Sequence, residues 1–136
     1  MNILILIKKM KILIDTNFLI YLAKNKLFDD LNALGHEVVI PRVVDFELEK
    51  VSQDKNLKIE DRNAASLAQD IVKRFVELKK AKYLDNIEKE ADDEILRYAK
   101  KTKCIVATMD KELQEKLKKQ GNKIIIIRQE KYLELE

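Results

Sequence analysis

The sequence predicts an α/β fold, a three-layer domain in which a mostly parallel central sheet of about five strands lies between helices. Three observations lead there. Short, continuously apolar runs recur along the chain, as strands buried on both faces require. Stretches of helical periodicity separate these runs. The length, 136 residues, fits one domain and leaves no room for a second conventional one.

The elements follow in order. Ile12 to Ile14 read as the first buried strand, and Asp15-Thr16-Asn17 supplies cap residues for a helix carrying Phe18, Leu19, Leu22 and Ala23. A second short helix runs from near Leu27 to Leu34 and stops at Gly35. Val38 to Ile40 form the second strand. Pro41 suits the first position of the next helix, which carries Val44, Glu47 and Leu48. Ser52 to Glu60 is polar and reads as a loop. From Asp61 to Lys80, Ala64, Leu67, Ala68, Ile71, Phe75 and Leu78 trace one apolar helical face.

Ala81 to Leu84 is the third strand, and Asp92 to Lys101 a helix with Ile95, Leu96 and Ala99 inward. Cys104 to Ala107 is the fourth strand, Lys111 to Lys119 a helix that Gly121 ends, and Ile124 to Ile127 the last strand. The order is βααβααβαβαβ. No internal repeat, low-complexity stretch or linker interrupts residues 11–136, which read as a single domain. Residues 1–10 are read as an N-terminal extension or an extra strand, with Met10 the alternative start. The apolar run Ile3 to Ile7 is too short for a bilayer, which needs about 20 residues. Its basic residues follow the run, whereas a secretory signal places them before it. No membrane association and a cytoplasmic location are therefore expected.

Composition narrows the chemistry. Cys104 is the one cysteine, which excludes a disulfide framework and a cysteine zinc site. His36 is the one histidine, which excludes a multi-histidine metal site and weakens any imidazole-based mechanism. The two glycines match no GxGxxG or P-loop pattern. What remains is carboxylates. Ligands of an open parallel sheet sit beyond the carboxyl ends of its strands, and four segments deliver an acid there. Asp15 follows the first strand, Glu47 lies in the helix after the second, Asp92 (with Asp93 beside it) opens the helix after the third, and Asp110 follows the fourth.

Each acid alone has an ordinary structural reading. Asp15 and Asp110 suit N-caps, Asp92 complements a helix dipole, and Glu47 suits a solvated face. Together they are harder to dismiss, because packed carboxylates repel and raise one another's pKa unless a cation neutralises them. Oxygen-only ligands select Mg²⁺ or Mn²⁺, and a pair of such ions supports phosphodiester cleavage. With 27 Lys and Arg against the 20 other acids, the rest of the chain carries +7, which suits an anionic substrate.

The motifs Ile12-Leu13-Ile14-Asp15-Thr16-Asn17, Pro41-Arg42-Val43-Val44-Asp45-Phe46-Glu47-Leu48, Ala91-Asp92-Asp93-Glu94-Ile95-Leu96 and Val106-Ala107-Thr108-Met109-Asp110 stand in the order and spacing of PIN domains. From Lys11 to about Tyr132 the chain resembles that family, whose members are metal-dependent ribonucleases. They include VapC toxins of toxin–antitoxin pairs and nucleases that process ribosomal RNA precursors. The resemblance implies a PIN-like fold, an endoribonuclease using Mg²⁺ or Mn²⁺, an RNA substrate and an antitoxin partner; a homodimer is a separate expectation, resting on the apolar residues around Tyr21. It implies Asp15 as the central metal ligand, Glu47 as a metal ligand or water-orienting group, and Asp92 and Asp110 as the third and fourth acids. Thr16, Asn17 and Thr108 would support them, and Asp93 competes with Asp92. Two features depart from the simplest toxin pattern: the doubled Asp, and a Val43–Phe46 segment general to PIN domains. The free-standing single domain favours a VapC-type toxin over a ribosomal-RNA-processing enzyme, with a non-catalytic RNA- or protein-binding domain as a further alternative.

The remaining residues have plainer readings. Cys104 is expected to be a buried structural thiol, and His36 a surface turn residue. Phe18, Tyr21 and Leu22 serve the core or a dimer surface. The lysine groups 79–82, 100–103 and 116–119 read as solvated faces or phosphate contacts, and only five Arg are present for base reading. A receiver-type signalling domain is a rival of the same fold class. It needs an acidic pair after the first strand and a Lys after the last, where this chain has Asp15-Thr16-Asn17 and Arg128.

Overall fold

A computed structural model of the chain describes residues 9–89 and 92–136, so the expected extension lies, but for residues 9 and 10, outside the described residues. The first half runs β1 (Lys11–Ile14), α1 (Thr16–Lys24), α2 (Phe28–Ala33), β2 (Glu37–Pro41), α3 (Val43–Gln53) and α4 (Ile59–Glu77). The second runs β3 (Ala81–Leu84), α5 (Asp92–Thr102), β4 (Ile105–Ala107), α6 (Lys111–Lys119), β5 (Ile124–Arg128) and β6 (Tyr132–Leu135). The strands form one sheet in the order β3-β2-β1-β4-β5-β6. All neighbours are parallel except β5 and β6.

Side chains alternate across the sheet with the period of two that a strand imposes. Ile12 and Ile14 of β1 join one core with Phe18, Leu22, Val44 and Ala65 of α1, α3 and α4. Leu13 joins the other, with Ile95 and Ala99 of α5 and Leu113 and Leu117 of α6. The sheet is thus covered on both faces, which is the three-layer arrangement the sequence predicts. The expected thiol of Cys104 is buried in the second core, and burial pushes its pKa up. Among the described residues no helix is long and apolar enough to cross a membrane.

The structure departs from the sequence reading in five places. A sixth strand, β6, closes an antiparallel hairpin with β5. Its turn residues Gln129 and Glu130 have φ of 53° and 56°, the sign a type I′ turn requires, but neither is the Asn or Gly that signals one. Pro41 ends β2 rather than opening α3. The expected loop at 52–60 shrinks, because α3 runs to Gln53 and α4 begins at Ile59. On α4 the buried face is Ala64, Ala65, Ala68 and Val72, while Leu67 and Leu78 are exposed. Small side chains let α4 pack closely on both α1 and α3, so the contact side is not the one carrying the largest residues. His36 is half-buried rather than a surface residue, and its Nδ1 accepts a 3.0 Å hydrogen bond from the Met10 backbone N–H.

Candidate metal centre

The strand order decides which acids meet. β1 and β4 are neighbours with Ile14 opposite Ala107, so Asp15 and Thr108 leave the sheet side by side. Asp15 is the N-cap of α1, its Oδ1 accepting from the Phe18 N–H at 2.8 Å. Asp110 is the N-cap of α6, its Oδ1 accepting from Glu112 and Leu113 N–H at 3.0 and 3.2 Å. The capping roles expected of these two acids therefore hold, and in both cases the N–H groups fall on one carboxylate oxygen.

Thr108 ties the two acids together. Fully buried, its hydroxyl hydrogen-bonds the Asp15 carboxylate and accepts from the Asp110 N–H at 3.1 Å. Its carbonyl accepts a 2.7 Å bond from Gln114 Nε2, which holds the β4–α6 corner in place. The buried Thr16 hydroxyl donates to Glu47 Oε2 at 2.9 Å, fixing the start of α1 against α3. Asp92 lies in the first turn of α5, where its charge complements the helix dipole.

These residues border one cleft of about 410 Å³ at the carboxyl edge of the sheet, lined by Asp15, Thr16, Asn17, Glu47, Asp92 and Asp110. Tyr21, Ile95, Met109 and Leu113 complete its walls. Phe18 and Leu22 are core residues, whereas Tyr21 is partly exposed at the cleft. Thr108 lies beneath the cleft as a support rather than on its surface. Of the doubled acid, Asp92 lines the cleft and Asp93 is exposed outside it. The alternation of helix positions separates them, since adjacent residues stand about 100° apart.

The electrostatics follow from this packing. Burial pushes the Asp15 carboxyl above the ordinary aspartate range, and the negative charges of Asp110 and Glu47 push it further. The bonds from Thr108 and Phe18 oppose that rise without cancelling it. A carboxyl held in that state is stabilised as an anion by a nearby cation. The donor set, carboxylate and amide oxygen with no His or Cys, fits a hard divalent ion. Among the described residues, no three acidic, His or Cys side chains are grouped closely enough to enclose one ion.

Two nearby residues escaped the sequence reading as part of this neighbourhood. Lys116 of α6 brings Nζ to 3.9 Å from Asp92 Oδ2 and 3.4 Å from Glu112 Oε1. Its position four residues after Glu112 signals the local pair, but only the packing of α5 against α6 brings it to Asp92. Gln114 is similar, standing four residues after Asp110 and turning back onto Thr108.

Comparison with known proteins agrees with this architecture. The chain is 39% identical over 131 residues to "Ribonuclease VapC4" of Methanocaldococcus jannaschii, covering 92% of this chain and 95% of that one. A solved structure, a domain of a functionally unknown protein from M. jannaschii, shares the fold with a TM-score of 0.62 at 21% identity. That match covers 88% of this chain and 91% of the other. The profile of the PIN-like domain family matches residues 12–130, the stretch that holds both cores and every acid of the cleft. By that match and by its VapC-like relative, the chain belongs to the PIN-domain family.

Proposed function

We propose that the chain is a divalent-metal-dependent endoribonuclease, with residues 11–136 as its single domain, and the toxin of a VapC-type toxin–antitoxin pair in the cytoplasm. The observation that carries this reading is the convergence of Asp15, Glu47, Asp92 and Asp110, from four separate segments, on one cleft. The ribonuclease name of the 39% identical relative supports it. RNA is the substrate, and an antitoxin and a second copy of the chain are the partners.

Asp15, Asp92, Asp110 and Glu47 would hold Mg²⁺ or Mn²⁺. When bound, such ions activate water and stabilise the leaving oxygen in phosphodiester hydrolysis. The chain's own contributions are positional. Thr108 sets the distance between Asp15 and Asp110 by bonding to both. Thr16 orients the Glu47 carboxylate, which lines the cleft and would hold a metal or orient water there. Asn17 lines the same wall and would support Asp15, while Asp93 stays outside. The apolar wall of Ile95, Met109 and Leu113 limits water on one side, which strengthens every charge interaction inside.

The test is cleavage of a pool of structured and single-stranded RNAs in Mn²⁺ and Mg²⁺ by wild type and Asp15→Asn. Cutting by wild type that falls at least about a hundredfold in the variant is expected, since even outer-shell changes at metal sites cost 10–100-fold. Equal cutting by the two proteins overturns the assigned site. Fragments confined to one site of a ribosomal RNA precursor would favour a processing enzyme over a toxin.

A further inference from the structure

The edge of the sheet opposite the cleft has the opposite charge. Lys11 opens β1, Lys80 precedes β3, Lys103 lies just before β4, and Lys123 precedes β5. Because these strands are parallel, residues at their starts gather on one edge as surely as Asp15 and Asp110 gather on the other. β2 alone reverses the pattern, opening with Glu37.

β1, β4 and β5 are consecutive in the sheet, with neighbours about 4.8 Å apart. At their starts lies a cavity of about 480 Å³ bordered by Lys9, Lys11, Lys103 and Lys123, with Thr102 and Cys104 between them. No carboxylate is among its described lining residues, although the chain as a whole has 24 acids against 27 bases. The opposing charges nearby are few. Glu37 stands across from Lys11 in the β1–β2 register, and the C-terminal ends of α5 and α6 each carry roughly half a negative charge. Glu136 is occupied by Lys118 and Arg128. The lysines outnumber these opposing charges in a concave site, where an anion relieves their repulsion.

We propose that this cavity binds backbone phosphates of the RNA whose cleaved bond lies at the acidic cleft, so that the substrate contacts both edges of the sheet. The proposal rests on the nuclease reading and adds a second substrate contact to it, remote from the cleft. From Lys11 to Asp15 the strand spans about 13 Å at ~3.3 Å per residue, and a path over the surface is longer. The RNA is therefore longer than a trinucleotide, folded or extended around the domain.

The test measures binding of a single-stranded RNA at several salt concentrations, on an Asp15→Asn background that prevents cutting. The triple variant Lys11→Gln, Lys103→Gln, Lys123→Gln is compared with Lys55→Gln, Lys58→Gln, Lys73→Gln, an equal charge change at exposed lysines of the α3–α4 region. For three lost phosphate contacts the slope of log affinity against log salt falls by about 2, with at least about a tenfold loss of affinity. Lys123→Gln alone, measured in case the triple variant unfolds, lowers the slope by about 0.7. No loss, or an equal loss in the control triple, overturns the proposal. So does loss of pyrophosphate binding with RNA binding unchanged, which would mark a site for free phosphates. Lysine-dependent RNA binding by a wild type that cuts no RNA would overturn the nuclease reading and leave this site standing.

Discussion

Two buried polar side chains, one near each edge of the sheet, illustrate how differently those edges are built. At the amino edge Asn122, 8% exposed, donates from Nδ2 to the carbonyls of Ala99 and Cys104, both at 2.9 Å, and accepts from Gln120 at 2.7 Å. It closes the ends of α5 and α6 onto the start of β4, and its amide bonds are satisfied within the scaffold. At the carboxyl edge Thr108 spends its hydroxyl on Asp15 and on the Asp110 backbone. There the bonds hold like charges together instead of separating them. Asn122 thus closes the scaffold, whereas Thr108 holds Asp15 beside Asp110, whose charge raises the Asp15 pKa.

The largest effect that sharpens this contrast comes at Asp15. Asn caps a helix as well as Asp does, so Asp15→Asn keeps α1 while removing the charge, and RNA cleavage falls at least about a hundredfold. Asp15→Ala additionally loses the cap, about 1 kcal/mol, visible as a lower unfolding temperature than that of Asp15→Asn. At the other edge the pattern inverts. Asn122→Ala strands the Cys104 carbonyl, while that of Ala99 keeps the Lys103 N–H, and destabilises the fold by about 1–3 kcal/mol, measured by denaturant unfolding, with cleavage per folded molecule retained. A stable Asn122→Ala protein would show that the amino edge does not depend on these bonds.

The pH dependence of stability has a definite sign. The Asp15 carboxyl titrates above its ordinary range in the folded chain, so folding takes up the proton more tightly than the unfolded chain does. Stabilisation present below the ordinary aspartate range is lost as pH rises through the raised folded value. In metal-free protein, the unfolding temperature of wild type relative to Asp15→Asn therefore falls across that window. A constant difference would contradict the shift. The smallest effect belongs to Lys116→Gln. Its contacts with Asp92 and Glu112 are half exposed, at 3.9 and 3.4 Å, and stability changes by less than about 1 kcal/mol in thermal unfolding.

Much of this was legible locally. β1 and β4 announce themselves as unbroken apolar runs because a strand covered on both faces admits little else. α6 was bounded to the residue because Asp110 caps it and Gly121, at φ 94°, lies just beyond its end. The sixth strand was not legible, since Gln129 and Glu130 take positive φ without the residues that favour it. Nor was the buried face of α4, because packing on α1 and α3 selects for closeness, which alanines allow, over side-chain size.

The sequence by itself determined which residues flank each strand: acids or their caps after β1 and β4, lysines before β1, β4 and β5. Periodicity and capping are local, and a reader of the chain recovers them without knowing the sheet. Only the tertiary structure decided that β1 lies between β2 and β4, that Thr108 reaches Asp15, and that Asp92 rather than Asp93 lines the cleft. Charge interactions weaken with distance, and the strand order, which sets those distances, brings four separately capped or solvated acids to one cleft.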